Sequence, residues 1–284
     1  MSHDPKPPPQ AALIGRRWDG GEHLITAADI AAFAQATDDT NPRYAGDAPV
    51  APPMFHVRPM RDLLFLIIED PALDLDVLRL VHGEHDARFG RLLHAGERLR
   101  VAGELVSAVE KRSGLVITAR LTGDVGEERV VDCVTVFFIR AKPTGERPAE
   151  RPAERTERPA PPPPPDWSAS VTVAADASYR YALASGDVNP IHVSPETARA
   201  AGLPDVILHG LCTMALTARA LTDGLADGDP SRLRRLAVRW ARPVFNGQPL
   251  TVTARAAGEG AWAVETLGPD GKPVITAAVA ELSG

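Results

Sequence analysis

Cysteine is scarce in this chain: Cys133 and Cys212 are the only two in 284 residues. Each lies inside an apolar stretch, so no disulfide framework and no CxxC pair is available, and buried free thiols in a reducing compartment are expected. Positive charge is not in excess either. The 31 Lys and Arg stand against 37 Asp and Glu, a formal net charge of −6. That excludes an overall basic field drawing in nucleic acid or an anionic membrane, although a small anionic ligand can still use a local basic patch. The apolar run Leu63-Leu64-Phe65-Leu66-Ile67-Ile68 is far short of the ~20 residues that cross a bilayer. The N-terminal Met1-Ser2-His3-Asp4-Pro5-Lys6-Pro7-Pro8-Pro9 has no apolar core and does not read as a signal peptide, so a cytoplasmic location is expected. A phosphate-cradling Gly loop and a serine-nucleophile elbow are also missing.

What is present is an ordinary soluble composition, 44% hydrophobic and 24% charged, with length for two domains of roughly 120–140 residues. Residues 143–165 read PTGERPAERPAERTERPAPPPPP and hold nine of the 27 prolines, with Glu-Arg-Pro-Ala at 146–149, 150–153 and 157–160. Nothing in that run anchors a core, and an extended solvated linker is expected. The flanking segments, 11–142 and 166–284, match each other. Phe33-Ala34-Gln35-Ala36-Thr37-Asp38-Asp39-Thr40-Asn41-Pro42 aligns without gaps on Tyr181-Ala182-Leu183-Ala184-Ser185-Gly186-Asp187-Val188-Asn189-Pro190. Arg91 to Val101 aligns on Arg242 to Val252, sharing Arg, Gly five residues on, then Leu and Val. Asp39 to Gly96 spans 57 residues and Asp187 to Gly247 spans 60. Two matches in one order at nearly one separation indicate internal duplication.

Each half has the same plan: a short helix leads into an Asp-x-Asn-Pro bend, a longer apolar helix follows (Met60 to Ile68, Leu211 to Leu225), and then strands. Strands are predicted at Leu99–Val109, Leu115–Thr122 and Val130–Arg140, and at Leu236–Trp240, Leu250–Ala257, Trp262–Leu267 and Val274–Ala280, from β-branched alternation and Gly-containing turns. Helices first and antiparallel strands after, with no βαβ alternation, indicate an α+β fold in which one long helix is wrapped by a curved antiparallel sheet.

The chemistry concentrates at Asp187-Val188-Asn189-Pro190-Ile191-His192. Pro190 fixes its own φ and keeps Asn189 out of the α region, which holds Asp187 and His192 on one rigid turn. A carboxylate and an imidazole there can grip a water between them, and imidazole exchanges protons near neutral pH. Six such residues alone can equally be a plain turn. Downstream, His209-Gly210 opens the long apolar helix. Gly210 leaves room for a carbonyl oxygen near its N–H, where the helix dipole favours negative charge.

The run from Tyr181 to Ala198 together with His209-Gly210 resembles the signature of the MaoC-like, (R)-specific enoyl-CoA hydratases and 3-hydroxyacyl-thioester dehydratases. Arg242-Pro243-Val244-Phe245 with Gly247 and Leu250 is similar to a strand segment of that family, and Ala51-Pro52-Pro53-Met54-Phe55 to a segment of its two-repeat members. The resemblance implies a double hotdog fold and an acyl-CoA or acyl-carrier-protein thioester substrate. It also implies a homodimer and no cofactor. It assigns Asp187 and His192 as the catalytic pair, Asn189 as their support and the Gly210 N–H as oxyanion donor, with His209 beside the substrate. The first half departs from the pattern: Tyr44 stands in place of the imidazole, and Val57 follows His56 where glycine is wanted. One competent site per chain is expected.

Other features are weighed against this reading. Arg232, Arg234, Arg235, Arg239 and Arg242 crowd one window; Arg234 and Arg235 can bind the phosphates of a thioester carrier, or the cluster is a solvated strand edge. His82-Gly83-Glu84-His85-Asp86 can be taken for a metal cluster. In a regular strand His82 and His85 face opposite sides, and no metal is expected there. A hotdog thioesterase and a non-catalytic acyl-binding protein are the alternative functions.

Overall fold

The computed structural model describes residues 7–142 and 164–284; the expected linker lies, except for its last two residues, outside the described residues. The first repeat contains β1 (Arg17–Leu24), α1 (Ala27–Ala36), α2 (Val57–Ile68), β2 (Leu80–Phe89), β3 (Arg98–Lys111), β4 (Gly114–Val125) and β5 (Glu128–Arg140). The second contains β6 (Trp167–Thr172), α3 (Ala177–Ser185), α4 (Pro190–Val193), α5 (Pro195–Ala200), α6 (Gly210–Leu225), β7 (Leu233–Trp240), β8 (Pro249–Gly258), β9 (Ala261–Leu267) and β10 (Pro273–Leu282).

All ten strands form one antiparallel sheet in the order β1-β3-β4-β5-β2-β7-β10-β9-β8-β6. Read from either edge inward the order is the same, with β1 matching β6 and β2 matching β7. The two halves join where β2 pairs with β7, from Glu84↔Arg239 to Arg88↔Arg235. Each half wraps one long helix, which makes the double hotdog. Within α2, Val57, Met60, Leu63 and Ile67 are buried, the spacing of a single inward face. Two strand glycines let that face approach: a Cβ at Gly103 would lie 2.9 Å from Ile67 Cδ1, and one at Gly123 3.1 Å from Met60 Cε. The second helix, α6, is buried from Cys212 to Ala218 without a break, because sheet and first-repeat turns cover it on all sides.

The short helix before each bend, the two long helices and seven strands fall where the sequence pattern puts them, while α4 and α5 are additional helical turns within and after the second bend. Three strands, β1, β2 and β6, are additional. β1 and β6 are the sheet edges, with polar, half-exposed sequences RWDGGEHL and WSASVT. β2, LVHGEHDARF, is central and polar. The repeats also share a tie. Ala51 N–H donates to Leu93 C=O at 2.7 Å, and Leu208 N–H donates to Val244 C=O at 2.7 Å, so the aligned Arg91 and Arg242 segments pin the loop before each long helix.

The repeats lock together around α1 and α3. The Phe33 and Tyr181 rings pack 5.6 Å apart. Arg58 of α2 donates to Ala184 C=O at 2.7 Å and to Asp29 at 2.6 Å, so the first repeat braces the end of α3, two residues before Gly186 and the Asp187 bend. Both cysteines are free and buried.

Candidate active site

The bend at 187–192 is built by its own side chains. Helix α3 ends at Gly186 in the left-handed region (φ 79°), a conformation that glycine adopts without a Cβ clash. Asp187 N–H then donates to Ser185 Oγ at 3.2 Å, and Asp187 Oδ1 accepts the Asn189 N–H at 3.2 Å. Asn189 Oδ1 caps α4 by accepting the Ile191 N–H at 3.3 Å, with Pro190 at the first helical position. His192 sits at the end of this single turn. The residues that make the turn are therefore those the chemistry would use.

Two carbonyls set the tautomers of the imidazoles. A carbonyl only accepts, so His192 Nδ1–H donates to Ile207 C=O at 2.8 Å, and His209 Nε2–H donates to Asp187 C=O at 2.8 Å. His192 Nε2 is left bare to take a proton. The rings stack face to face, 3.7 Å between centroids and 25° between planes. Burial holds the His192 pKa below its ordinary value, opposed by the Ile207 carbonyl and the Asp187 carboxylate. Burial and the neighbouring His192 push His209 down to about 4. His209, buried at 2% exposure, thus acts as a neutral strut that fixes the bend's backbone.

Gly210 is the first residue of α6, so its N–H has no acceptor within the helix and faces the positive end of the dipole. The space where its Cβ would stand is filled by Trp240: the nearest ring atoms would be 2.9, 3.0 and 3.2 Å away. Trp240 Nε1–H also donates to Gly210 C=O at 2.9 Å. The glycine is required by the indole, and Trp240 is a residue of the candidate site that the sequence pattern did not single out.

In the first repeat the same turn survives. Asp39 Oδ1 accepts the Asn41 N–H at 3.2 Å, and Asn41 Oδ1 caps Arg43 N–H at 3.1 Å. Tyr44 is buried. Asp39 is raised to about 6 by burial, opposed by its hydrogen bond from Asn41. His56 turns away to His85. His56 Nδ1–H donates to Pro53 C=O at 3.0 Å, so its Nε2 accepts from His85 Nε2 at 3.5 Å.

The expectation that His82 and His85 face opposite sides is overturned. The β2·β5 register shifts between His82 and Glu84, and this bulge brings both rings to one face, 5.6 Å apart. Among the described residues, two groups bring potential metal donors within 4.8 Å: His56, His85 and Cys133, and Asp187, His192 and His209. In the second group the rings lie face to face; in the first, nearly coplanar at 13°, the nitrogens aim at each other as a hydrogen-bonded pair.

The arginine window lies on the outer face of the sheet. Arg235 is committed to Asp86 and Glu281, Arg232 to Asp227, Arg239 to Glu84 and Arg242 to Asp270. Arg234 lines a shallow cavity of about 330 Å³ with Arg88 and Arg129 and has no ion pair among the described residues.

Comparison with known proteins gives two family matches in the chain. Residues 157–278 match the MaoC like domain, and residues 12–132 match the FAS1-like, dehydratase domain region. The chain is 33% identical over 203 residues to 3-hydroxyacyl-thioester dehydratase Y of Mycobacterium tuberculosis, covering 68% of each. It is 30% identical over 272 residues to peroxisomal multifunctional enzyme type 2 of Drosophila melanogaster, covering 92% of this chain and 45% of that protein. It spans less than half the length of the multifunctional relatives it matches. A MaoC-like dehydratase from Phytophthora capsici superposes with a TM-score of 0.78 at 21% identity, covering 96% of this chain and 97% of the other.

Proposed function

From the premise that the chain belongs to the MaoC-like dehydratase family, we propose that it adds water reversibly to a trans-2-enoyl thioester, giving the (R)-3-hydroxyacyl thioester. The observation that carries this reading is the approach of Asp187, His192 and His209 to within 4.8 Å, with His192 Nε2 bare and the start of α6 alongside. The thioester carbonyl accepts the Gly210 N–H, which draws electron density from Cβ. Water held between Asp187 and His192 attacks Cβ and gives up a proton to one of the pair, while Cα gains one. Charge grows on the carbonyl oxygen, where a fixed backbone donor is worth about 3–4 kcal/mol. Asn189 keeps the two side chains on one turn, and the stacked His209 keeps the bend's carbonyl in place. Either member of the pair can serve as base, since a carboxylate and a neutral imidazole can each accept the proton of the water. In the reverse direction the same groups remove water.

The thioester handle is coenzyme A or a carrier protein. Of the two arginines considered for its phosphates, Arg234 is the one with a free guanidinium. The first repeat, 11–142, keeps the turn without the imidazole and serves to shape the acyl pocket. A homodimer and a cytoplasmic location belong to this proposal; no helix among the described residues is long and apolar enough to cross a membrane. The test is loss of enone absorbance with crotonyl-, octenoyl- and branched enoyl-CoA, run beside a free-thiol assay. Enone loss without thiol release supports hydration; thiol release from saturated acyl-CoA would instead make the protein a thioesterase, and neither signal would leave an acyl-binding protein.

A further inference from the structure

His82 belongs to the first repeat, yet it stands at the second repeat's site. It lies on β2, which forms the junction with β7, and the bulge beside Gly83 turns its ring inward. There the imidazole meets the Trp240 indole with centroids 4.6 Å apart and planes 61° apart. Its other side is held by Phe137 at 5.1 Å and by a short hydrogen bond between its Nε2 and Thr135 Oγ1. Thr135 is itself fully buried. Trp240 in turn donates to Gly210 C=O and covers its Cα. A continuous line of contacts therefore runs from the core of the first repeat to the peptide at the start of α6.

We propose that His82 is a positioning residue for the second-repeat site, clamping Trp240 so that the indole holds Gly210 in register with Asp187 and His192. This rests on the hydration reading above and adds to it: the repeat that lacks its own imidazole at the bend contributes a different one across the junction. His82 is suited to the task because it is neutral. Burial brings its pKa down to about 4, with the Asp187 carboxylate opposing the shift, so the ring packs as an aromatic while its nitrogens anchor it. Its contact with Trp240, whose indole N–H holds Gly210 C=O, ties it to the start of α6 rather than merely to the core. An indole held through its N–H by Gly210 C=O and packed against the tilted His82 ring has little freedom to swing, and a shift of about 1 Å in a positioning group can lower a rate ~100-fold.

The test compares His82→Ala, His82→Phe, Trp240→Phe and Asp187→Asn in the full chain, with crotonyl-CoA hydration and tryptophan emission as readouts. The difference spectrum between the parent and Trp240→Phe isolates Trp240. His82→Ala is expected to lower kcat about tenfold or more with KM within about twofold and to shift the Trp240 emission; His82→Phe, which keeps a ring of similar size, is expected to recover most of the rate and the parent emission. If His82→Ala does not fold, His82→Leu takes its place against His82→Phe. The proposal is overturned if the aliphatic variant turns over at the parent rate while Asp187→Asn is inactive, or if it loses stability and rate with no change in Trp240 emission. Turnover by Asp187→Asn would instead reject the acid–base reading, and the Trp240 emission would still report whether His82 sets the indole.

Discussion

Replacing Gly210 by alanine separates two reasons for having glycine there. An alanine Cβ would sit 2.9–3.2 Å from three atoms of the Trp240 ring, where carbon atoms normally rest ~3.5–4.0 Å apart. The ring and the helix start must therefore separate by several tenths of an ångström. Trp240 cannot retreat freely, because His82 packs on it at 4.6 Å and its own N–H holds Gly210 C=O. Overpacking of this kind costs about 1–3 kcal/mol in stability. The larger effect falls on turnover, since the peptide that moves carries the proposed oxyanion donor; loss of one such donor lowers kcat by ~100- to 1,000-fold. Gly210→Ala is thus expected to lose roughly 100-fold in kcat for crotonyl-CoA hydration with KM little changed. The double variant Gly210→Ala/Trp240→Leu relieves the clash. It should turn over faster than Gly210→Ala alone, with a coupling of about 0.5–3 kcal/mol in the cycle. A double variant no faster than Gly210→Ala would refute the packing argument and place the need for glycine on the substrate side.

Asp187→Asn should abolish turnover, whereas Asp39→Asn should leave it largely intact; equal losses in initial-rate assays would mean that both repeats are competent. Because burial keeps the His192 pKa below its ordinary 6.5, its neutral form persists into mild acid, and the acid limb of kcat/KM against pH should fall below 6.5; a limb at or above that value would exclude neutral His192 as the titrating group. Asp39, raised to about 6 in the folded chain from 3.8, contributes stability that is fully present below pH 3.8 and is lost as pH rises through 6. Asp39→Asn should therefore raise Tm at pH 8 and have little effect near pH 4, with Asn Oδ1 still accepting the Asn41 N–H; a pH-independent change would contradict the assignment. Arg234→Glu should raise KM for an acyl-CoA without altering kcat, and an unchanged KM would reduce Arg234 to a surface residue.

The parts of the site that lie close in sequence were legible there. Asp187, Asn189, Pro190 and His192 are joined by hydrogen bonds spanning two or three residues, so their identities encode the turn. The long helices were legible for a similar reason, since α2 shows its 57, 60, 63 and 67 face in the hydrophobic spacing. The strand β2 was not. It is central, yet His82, Gly83, Glu84, His85 and Asp86 are all polar or small, because its inward positions carry imidazoles held by Thr135 and His56 rather than aliphatic groups. Alternation then gave the wrong side for His85, because the bulge at Gly83 adds one residue to the count.

What local pattern cannot carry is the meeting of residues from different repeats. Trp240 lies 158 positions beyond His82, and their contact exists only because β2 and β7 are the strands that join the two half-sheets. The same holds for Arg58, whose guanidinium reaches Ala184 C=O. In this duplicated fold side chains of one copy reach the other both at the strand junction, as His82 does, and between the packed helices, as Arg58 does. Although Tyr44 stands where the second repeat has an imidazole, the first repeat stays in contact with the second through the His82–Trp240 pair. A first repeat that served only to wall off the acyl pocket would tolerate aliphatic residues at position 82, and the rate of His82→Leu relative to His82→Phe measures how far it does.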